Sequence, residues 1–316
     1  MSKSSVNNFS YKNFQSNLLR ENFDRNPVKG QKMTVSEKLL QHRDEMTPSE
    51  RQLVSTLLDD YPIIGLGSIT ELAKTASVST TTVTRMLQKT GFDGFPQFQA
   101  ALRSELKEMI SDPVAKRQHW QSDFPDEHIL TRYFRQAIEN QQRSMDDIDP
   151  ADFDSLCKML SDTERTIFIT GGRITGTLAR YLYLHLQMIR PNVRLVADGG
   201  AWPHDLLDLQ TGDVVVAFDV RRYENTTLQL TQMCQNKGAE IVLLTDQWRS
   251  PIHRIASLTF TGRIAVPSAW DSCSPLLMLV ECTIAALQET MWDTVKGRNE
   301  ALEVAFDQTK LFRKFT

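Results

Sequence analysis

The segment from Ser68 to Phe98 constrains the fold of this 316-residue chain more than any other. It contains two short stretches with apolar residues at helical spacing, separated by a corner at Ser77-Val78 and closed by Gly91. Ser68, with Glu71 three residues later, has the form of a capping box that begins the first helix. Two short helices that meet at a tight corner predict a helix-turn-helix unit, a pattern that also occurs in helical proteins that do not bind DNA.

The second predicted helix covers residues 80–90 and has Ser79 as its cap. Its apolar residues Val83, Met86 and Leu87 repeat at helical spacing and are expected to face the core. The opposite face then carries small polar and cationic side chains, which suit contacts with base edges and phosphates in the major groove. The residues predicted to contact DNA are Ser68, Ser79, Thr80, Thr81, Thr82, Thr84, Arg85, Gln88 and Lys89.

A more specific signal follows the second helix. The segment Gly91-Phe92-Asp93-Gly94-Phe95, continuing to Phe98, resembles the Gly-Phe-x-Gly-Phe-x-x-Phe signature of the RpiR (MurR/RpiR) family of bacterial transcription regulators. The segment Thr47–Arg51, which opens the preceding helix, is similar to the same family. The resemblance covers residues from about 46 to 103 and implies that the helix-turn-helix binds DNA.

Charge is distributed unevenly along the chain. Residues 1–120 hold 16 Lys and Arg against 13 Asp and Glu, whereas the remaining residues hold 20 against 26. The cationic part therefore carries the helix-turn-helix, as phosphate contacts require. No apolar run reaches the roughly 20 residues of a membrane helix, and the polar N-terminus does not resemble a signal peptide. We therefore expect a cytoplasmic protein without a membrane segment. The four cysteines are scattered, so we also expect no metal or other cofactor.

Sequence pattern divides the chain into four segments. Residues 1–32 are rich in Ser, Asn and Lys and are predicted to form a flexible arm. A helix-turn-helix domain is expected over residues 33–111, a polar linker over 112–125 and a second domain over 126–316. The additional helices predicted in the first domain cover residues 35–43, residues from Pro48 onward with Thr47 as the cap, and residues 95–110.

The second domain begins with two helical patterns and continues as alternating strands and helices. The first pattern, over about 126–146, is amphipathic and carries Leu130, Tyr133, Phe134 and Ile138 on one side. The later alternation is typical of a parallel sheet covered by helices on both faces. We therefore predict an all-α helix-turn-helix domain followed by an α/β domain with a five-stranded parallel sheet between helices. The predicted strands cover residues 166–170, 193–196, 214–218, 241–245 and 258–261.

Two loops lie at the carboxyl ends of predicted strands, where such folds bind their ligands. The first loop, over 170–179, contains two glycines and opens a helix whose N-terminal amides suit an anion. The second loop covers 218–226. This half of the chain, roughly 126 to 300, resembles the SIS (sugar isomerase) domain. The RpiR family carries this domain behind its DNA-binding domain and uses it to sense phosphorylated sugars, so the resemblance implies an SIS-like sensor.

Both loops depart from the usual SIS pattern. The first usually reads Gly-x-Gly-x-Ser, whereas here Arg173 replaces a glycine and Thr175 stands at the serine position. The second usually reads Ser-x-Ser-Gly-x-Thr, whereas Asp219–Glu224 supplies carboxylates and two guanidinium groups. A carboxylate at position 219 repels a phosphate dianion. We therefore expect common sugar phosphates to bind poorly and a carboxylate-bearing or otherwise atypical metabolite to bind better.

The charged residues of the second loop allow two interpretations. Arg221 and Arg222 either bind an anionic ligand through their guanidinium groups, or pair with Asp219, Glu224 or Asp271 and order the loop. Two serines before the last predicted helix, which ends near residue 292, either bind the ligand or cap that helix. The predicted ligand-binding residues are Gly171, Gly172, Arg173, Thr175, Asp219, Arg221, Arg222, Ser268, Asp271 and Ser272.

These patterns predict a bacterial transcription regulator rather than an enzyme. Its expected partners are double-stranded operator DNA, a small anionic effector (a phosphosugar or a carboxylate), and further copies of the chain in a dimer or tetramer. The alternative is a sugar-phosphate aldose–ketose isomerase, since SIS domains also occur in enzymes. That reaction needs a general acid–base pair. Of the six histidines only His204 and His253 fall on plausible site loops, and neither belongs to a recognisable constellation.

Overall fold

The computed structural model describes residues 33–111, 113, 114, 116, 128–196 and 199–313. The predicted arm over residues 1–32 lies outside this set, as does most of the predicted linker over 112–125. Contacts join the helical region and the α/β region of residues 34–316 into one unit.

Five α-helices form the described residues 33–111, and their boundaries follow from local sequence. Thr47 and Ser68 each complete a capping box with the glutamate three residues later, as predicted. Gly91 takes a left-handed φ of 81° after the fourth helix, where a side chain would be strained. The helix predicted over 35–43 is shorter, because a 3-10 turn forms at Arg43–Glu45. The helices are α1 (Val35–Gln41), α2 (Pro48–Asp59), α3 (Ile69–Thr75), α4 (Thr80–Lys89) and α5 (Phe95–Ile110).

One apolar cluster holds these helices together and confirms the helix-turn-helix. Val83, Met86 and Leu87 of α4 are fully buried in it, as their spacing predicts. The corner before α4 is closed by the Val78 amide, which donates to the Ala73 carbonyl at 2.9 Å. Burial of these side chains on one face of α4 leaves its other face at the surface.

The α/β region contains the five predicted strands, each within one residue of its expected start. A final helix of 18 residues, which the sequence analysis did not predict, follows the long helix that ends at Thr290. Among the described helices, none combines the length and apolar character needed to cross a membrane. The strands are β1 (Ile167–Gly171), β2 (Val193–Leu195), β3 (Val214–Asp219), β4 (Glu240–Asp246) and β5 (Leu258–Gly262); the helices are α6 (Ile129–Asp146), α7 (Pro150–Ser161), α8 (Gly176–Ile189), α9 (Asp205–Asp208), α10 (Asn225–Asn236), α11 (Ser274–Thr290) and α12 (Trp292–Thr309).

The sheet is entirely parallel, with strand order β2-β1-β3-β4-β5. Alternate residues of β1, β3 and β4 enter two different apolar clusters, because successive side chains point to opposite faces. Ile169 and Val216 pack in the cluster that includes α8 and α11, whereas Phe168 and Val215 pack in the cluster that includes α10. The strand order reverses between β1 and β3, and this is where a parallel sheet leaves a crevice at its carboxyl edge.

Helix α6 is amphipathic as predicted, but it buries its polar side. Gln136, Asn140 and Ser144 are buried, whereas Phe134 is 61% exposed. The buried groups serve the backbone after β5: the Asn140 side-chain amide donates to the Ala265 carbonyl at 2.8 Å, and the Ser144 hydroxyl accepts from the Arg263 amide at 2.9 Å. The polar side faces inward because it satisfies backbone groups that would otherwise lack partners. The apolar side is left at the surface.

Three polar contacts connect the helical region to the carboxyl edge of the sheet. Arg263 after β5 pairs with Glu37 of α1 at 2.6 Å, with both side chains largely buried. The His253 Nε2 atom lies 3.1 Å from the carbonyl of Leu58, the residue before the last of α2. Arg254 donates to Asp60 at 3.0 Å. These contacts hold the helical region against the carboxyl edge of the sheet.

Candidate functional site

The exposed face of α4 carries the side chains that the sequence predicted for DNA contact. Thr80, Thr81, Arg85 and Gln88 are exposed, and Ser79 caps the helix by accepting from the Thr82 amide at 3.1 Å. In the part of the chain that the structure describes, Arg85 forms no ion pair. Its guanidinium is therefore available to a phosphate or a base edge.

Other members of the predicted set make contacts within the chain. The Thr82 and Ser79 hydroxyls lie 2.9 Å apart, and the Thr84 hydroxyl donates to the Thr80 carbonyl at 3.1 Å. Ser68 is occupied as the cap of α3, where it accepts from the Glu71 amide at 3.1 Å. These hydroxyls stabilise the helix starts and α4 itself, so they are less free to bind DNA than Thr81.

Lys89 is tied to the helical core. Its ammonium lies 2.7 Å from the carboxylate of Glu50, a side chain that is 1% exposed. Burial raises the pKa of Glu50, but hydrogen bonds from Lys89 and Thr47 outweigh this effect and hold the pKa below its ordinary value. The pair joins α4 to the start of α2, which favours a structural role for Lys89 over a phosphate contact.

A pocket of about 260 Å³ opens at the carboxyl ends of β1 and β3, at the switch in strand order. The loop after β1, the loop after β3 and the segment before α11 form three of its walls. The fourth wall comes from the residues that follow α5, and so from the helical region. The lining residues are Ser111, Pro113, Lys116, Gly172, Arg173, Ile174, Thr175, Asp219, Val220, Arg221, Arg222, Glu224, Ala269, Trp270, Asp271 and Cys273.

Arg221 is the centre of a buried ionic cluster in this pocket. Its side chain is 6% exposed, its Nε donates to Asp271 at 3.0 Å, and its guanidinium stacks on Trp248 at 5.0 Å. Lys116 binds the same carboxylate of Asp271, and burial lowers the pKa of Lys116. Arg221 also donates to the Glu108 carbonyl at 2.6 Å, near the end of α5. The cluster thus joins the loop after β3 to α5, the last helix of the helical region.

Two buried carboxyl groups lie behind the second loop. Asp219, at the end of β3, accepts from the Ser250 hydroxyl, and Asp246, at the end of β4, accepts from the Arg221 amide at 2.6 Å and the Tyr223 hydroxyl at 2.9 Å. Burial raises the pKa of each to about 6. The hydrogen bonds to Asp246 hold Arg221 and Tyr223 of the second loop in place.

Two family models match this chain: the helix-turn-helix domain of the rpiR family over residues 33–109, and the SIS domain over residues 159–286. The chain belongs to the RpiR family. An uncharacterized HTH-type transcriptional regulator of Haemophilus influenzae is 24% identical over 67% of this chain and 73% of its own length. A second, from Clostridium perfringens, is 23% identical over 73% of this chain and 82% of its own length.

The α/β region of this RpiR-family chain also resembles a solved structure. The sugar isomerase domain of an RpiR transcription factor from Sphaerobacter thermophilus superimposes with a TM-score of 0.53 and 18% identity. The superposition covers 56% of this chain and 99% of that domain. At this identity the likeness establishes the SIS fold alone.

Seven of the ten predicted ligand residues line the pocket of this RpiR-family protein. Gly171, Ser268 and Ser272 do not line it. The Ser268 hydroxyl accepts from the Trp270 amide at 3.2 Å, and the Ser272 hydroxyl donates to the Ser274 hydroxyl at 3.0 Å. Thr175 lines the pocket, but its hydroxyl accepts from the Gly172 amide and donates to the Phe218 carbonyl, each at 2.8 Å. Its oxygen therefore braces the first loop.

The sequence missed the part of the pocket that comes from the helical region. Ser111, Pro113 and Lys116 lie in or next to the segment predicted as a linker. No local pattern indicated that Lys116 would meet Asp271, which is 155 residues away. No histidine is among the described lining residues. His253 instead bonds to the helical region, and His204 is exposed on another loop.

Proposed function

We propose that this RpiR-type protein is a DNA-binding transcription regulator whose SIS domain senses a small anionic metabolite and changes operator binding. The observation that carries the proposal is the connection between two surfaces. An exposed polar and cationic helix face lies in the helical region, and the ionic cluster of the pocket reaches the last helix of that region. The proposed domains are residues 33–111 and 126–316, and the separate apolar clusters of the two regions support this division. We infer a cytoplasmic location from this activity.

DNA binding is proposed through α4. The threonines exposed at its start, together with Arg85 and Gln88 further along the helix, match the small polar and cationic side chains that read the major groove. A dimer would bring two such helices to two half-sites, separated by about one helical turn of DNA.

Effector binding is proposed in the strand-end pocket. Arg173 and Arg222 line it with exposed side chains, and in the described part of the chain neither forms an ion pair. The backbone of Arg222 has a φ of 66°, a left-handed conformation that costs free energy in a residue with a side chain and is often kept at ligand sites. These two guanidinium groups are therefore the ones we expect to bind an effector anion.

The ionic cluster supplies a route from effector to DNA. An anion that attracts Arg221 or Lys116 competes with Asp271, and it weakens the bond from Arg221 to the Glu108 carbonyl at the end of α5. Sequence alone would confine Arg221 to the ligand domain, whereas this contact gives it a part in both. Coupling is reciprocal, so an effector that weakens DNA binding is bound more weakly by the DNA complex.

A homo-oligomer is proposed through the exposed side of α6. Leu130, Phe134, Ile138 and Met145 form an apolar stripe on this helix, and each is at least 37% exposed. Contiguous exposed apolar surface of this kind is typical of protein interfaces. Light scattering coupled to gel filtration measures the mass, and Phe134→Glu is expected to shift the protein towards monomer.

DNA binding is tested with double-stranded DNA that the wild-type protein selects in vitro from a random pool. Thr81→Ala and Arg85→Ala should each lose about 1–3 kcal/mol of binding free energy in a mobility-shift titration. Arg194→Ala, which removes an exposed arginine of the sheet edge, is the matched control and should bind like the wild type. Wild-type affinity in both α4 variants would remove this helix from the interface.

The isomerase alternative is tested on the same preparation. Aldose–ketose isomerisation needs a group that moves a proton between adjacent carbons. Incubation with hexose and pentose phosphates, followed by separation of the sugars, measures that activity directly. Turnover of any of them, together with no selected DNA, would favour the enzyme over the regulator.

A further inference from the structure

We propose that Glu224 determines effector specificity by acting as an internal anion, which excludes phosphate monoesters from the first loop of the pocket. The inference rests on the proposed function, because it names the class of effector that the same pocket accepts. Such an effector meets Glu224 with a hydroxyl or amine donor and carries its own negative charge towards Arg173 and Arg222.

The first observation is that the chain supplies its own anion to the loop. The Glu224 carboxylate accepts a hydrogen bond from the Arg173 amide at 2.6 Å. This amide lies in the loop that opens α8, a 14-residue helix whose N-terminal end attracts negative charge. A carboxylate from the second loop therefore already accepts from an amide that could otherwise donate to a phosphate oxygen.

Neighbouring amides of the loop are also occupied. The Gly172 amide donates to the Thr175 hydroxyl at 2.8 Å, and the Gly176 amide donates to the Gly172 carbonyl at 2.6 Å. A phosphate monoester would have to break these bonds and displace Glu224 as well. Each displaced group would lose a partner in a partly buried site, which costs free energy.

Gly172 is the second, independent indication that Glu224 belongs in this place. A Cβ atom at position 172 would lie 2.6 Å from the Glu224 Oε1 atom and 2.8 Å from its Cδ atom. A side chain at position 172 would require the Glu224 carboxylate to move from its place against this backbone. The glycine therefore accommodates an internal carboxylate.

Asp219 acts as a positioning residue for Glu224. Its carboxyl accepts from the Glu224 amide at 3.3 Å and from the Ser250 hydroxyl, and it is 2% exposed. It thereby fixes the backbone from which the Glu224 side chain crosses to the first loop. The sequence placed the repulsion of phosphate at position 219, and the geometry moves it to position 224.

The remaining charges of the pocket define the effector class. Asp271 already binds two cations, Lys116 and Arg221, whereas Arg173 and Arg222 have exposed guanidinium groups. A small molecule with a carboxylate for these arginines and hydroxyl or amine donors for Glu224 satisfies both ends. A sugar acid or an amino-sugar acid has this chemistry.

The test is isothermal titration calorimetry with inorganic phosphate and with glucose 6-phosphate. Wild-type protein should bind both probes weakly, whereas Glu224→Ala, which frees the Arg173 amide, should bind them at least about tenfold more tightly than the wild type. Glu224→Gln separates charge from size and should give an intermediate gain. Glu289→Ala, which removes an exposed carboxylate at the end of α11, controls for net charge and should behave like the wild type.

Two results would overturn the inference. One is a wild-type protein that binds glucose 6-phosphate as tightly as Glu224→Ala does. The other is a folded Glu224→Ala that binds no more phosphate than Glu289→Ala; if the alanine variant does not fold, Glu224→Gln decides in its place. The duplex DNA selected in vitro is titrated into the same samples. A wild-type protein that binds no DNA would contradict the proposed function, whereas the phosphate measurement would still decide the role of Glu224.

Discussion

The exposed face of α4, with Thr80, Thr81, Arg85 and Gln88, is called the recognition face because we propose that it binds DNA. This face and the strand-end pocket are both rich in charged and polar groups, but those groups differ in whether they already have partners within the chain. On α4, Arg85 and Gln88 extend to the surface from a helix whose opposite face is buried. In the pocket, Arg221, Lys116 and Asp271 already bind one another.

This difference matches two kinds of binding. A surface whose side chains have no partners within the chain can bind a large anionic partner such as DNA without internal rearrangement. No internal contact has to break, so none of the binding free energy is lost in that way. A pocket with paired charges binds a ligand only by exchanging partners. Such an exchange couples a ligand to the rest of the molecule, because a ligand shifts an equilibrium only through differential contacts with the two states.

The largest expected effect tests this comparison directly. Arg221→Ala should lower the free energy of unfolding by about 3 kcal/mol, because it breaks a buried ion pair with Asp271 and removes the donor to the Glu108 carbonyl. Arg85→Ala should change it by less than about 0.5 kcal/mol, since Arg85 is exposed. Urea denaturation followed by circular dichroism measures both. Equal stability losses would mean that the two surfaces do not differ in internal pairing.

Lys89 sharpens the boundary of the recognition face. Lys89→Ala should lower the free energy of unfolding by about 2 kcal/mol, because the buried Glu50 carboxylate loses a charged donor, and it should weaken DNA binding less than Arg85→Ala does. Lys74→Ala, which removes an exposed lysine at the end of α3, is the control and should keep wild-type stability. If Lys89→Ala is fully stable and loses DNA affinity, Lys89 belongs to the recognition face as the sequence predicted.

The smallest expected effect is a pH dependence in α5, the helix that links the two surfaces. Burial raises the pKa of Glu105 to about 7, and its carboxylate accepts from the Tyr61 hydroxyl and from the Val35 amide at 2.6 Å. Because the pKa is raised in the folded state, protonated Glu105 contributes fully to the free energy of unfolding below the ordinary carboxyl pKa. This contribution is lost as the pH rises through about 7.

The free energy of unfolding should therefore fall between about pH 5 and pH 8, and Glu105→Gln should flatten that fall. Measurements at the two pH values on the wild type and the variant give the difference. Asp219 and Asp246 have pKa values raised in the same direction, so their part of the pH dependence should persist in Glu105→Gln. Glu303→Gln, on the exposed surface of α12, should leave the wild-type profile intact. An unchanged fall in Glu105→Gln would show that Glu105 does not cause it.

Local sequence was sufficient for the parts of the fold that depend on neighbouring residues. The capping boxes at Thr47 and Ser68 mark helix starts because the cap and the glutamate that completes it are three residues apart. The strands were found because their apolar runs alternate with helices, which specifies a parallel sheet. The exposed side of α4 follows from periodicity, since burial of one face leaves the other at the surface.

Tertiary structure alone decided which charged groups meet. Arg221 and Asp271 are 50 residues apart, Arg173 and Glu224 are 51 apart, and Lys116 and Asp271 are 155 apart. The sequence offered Asp271 as one of several partners for Arg221 and gave no sign of Lys116 or of the Glu224 contact. It also indicated the two sides of α6 correctly without indicating which side is buried. That orientation depends on backbone groups after β5 that need partners, and such partners are chosen by the packing of distant segments rather than by local pattern.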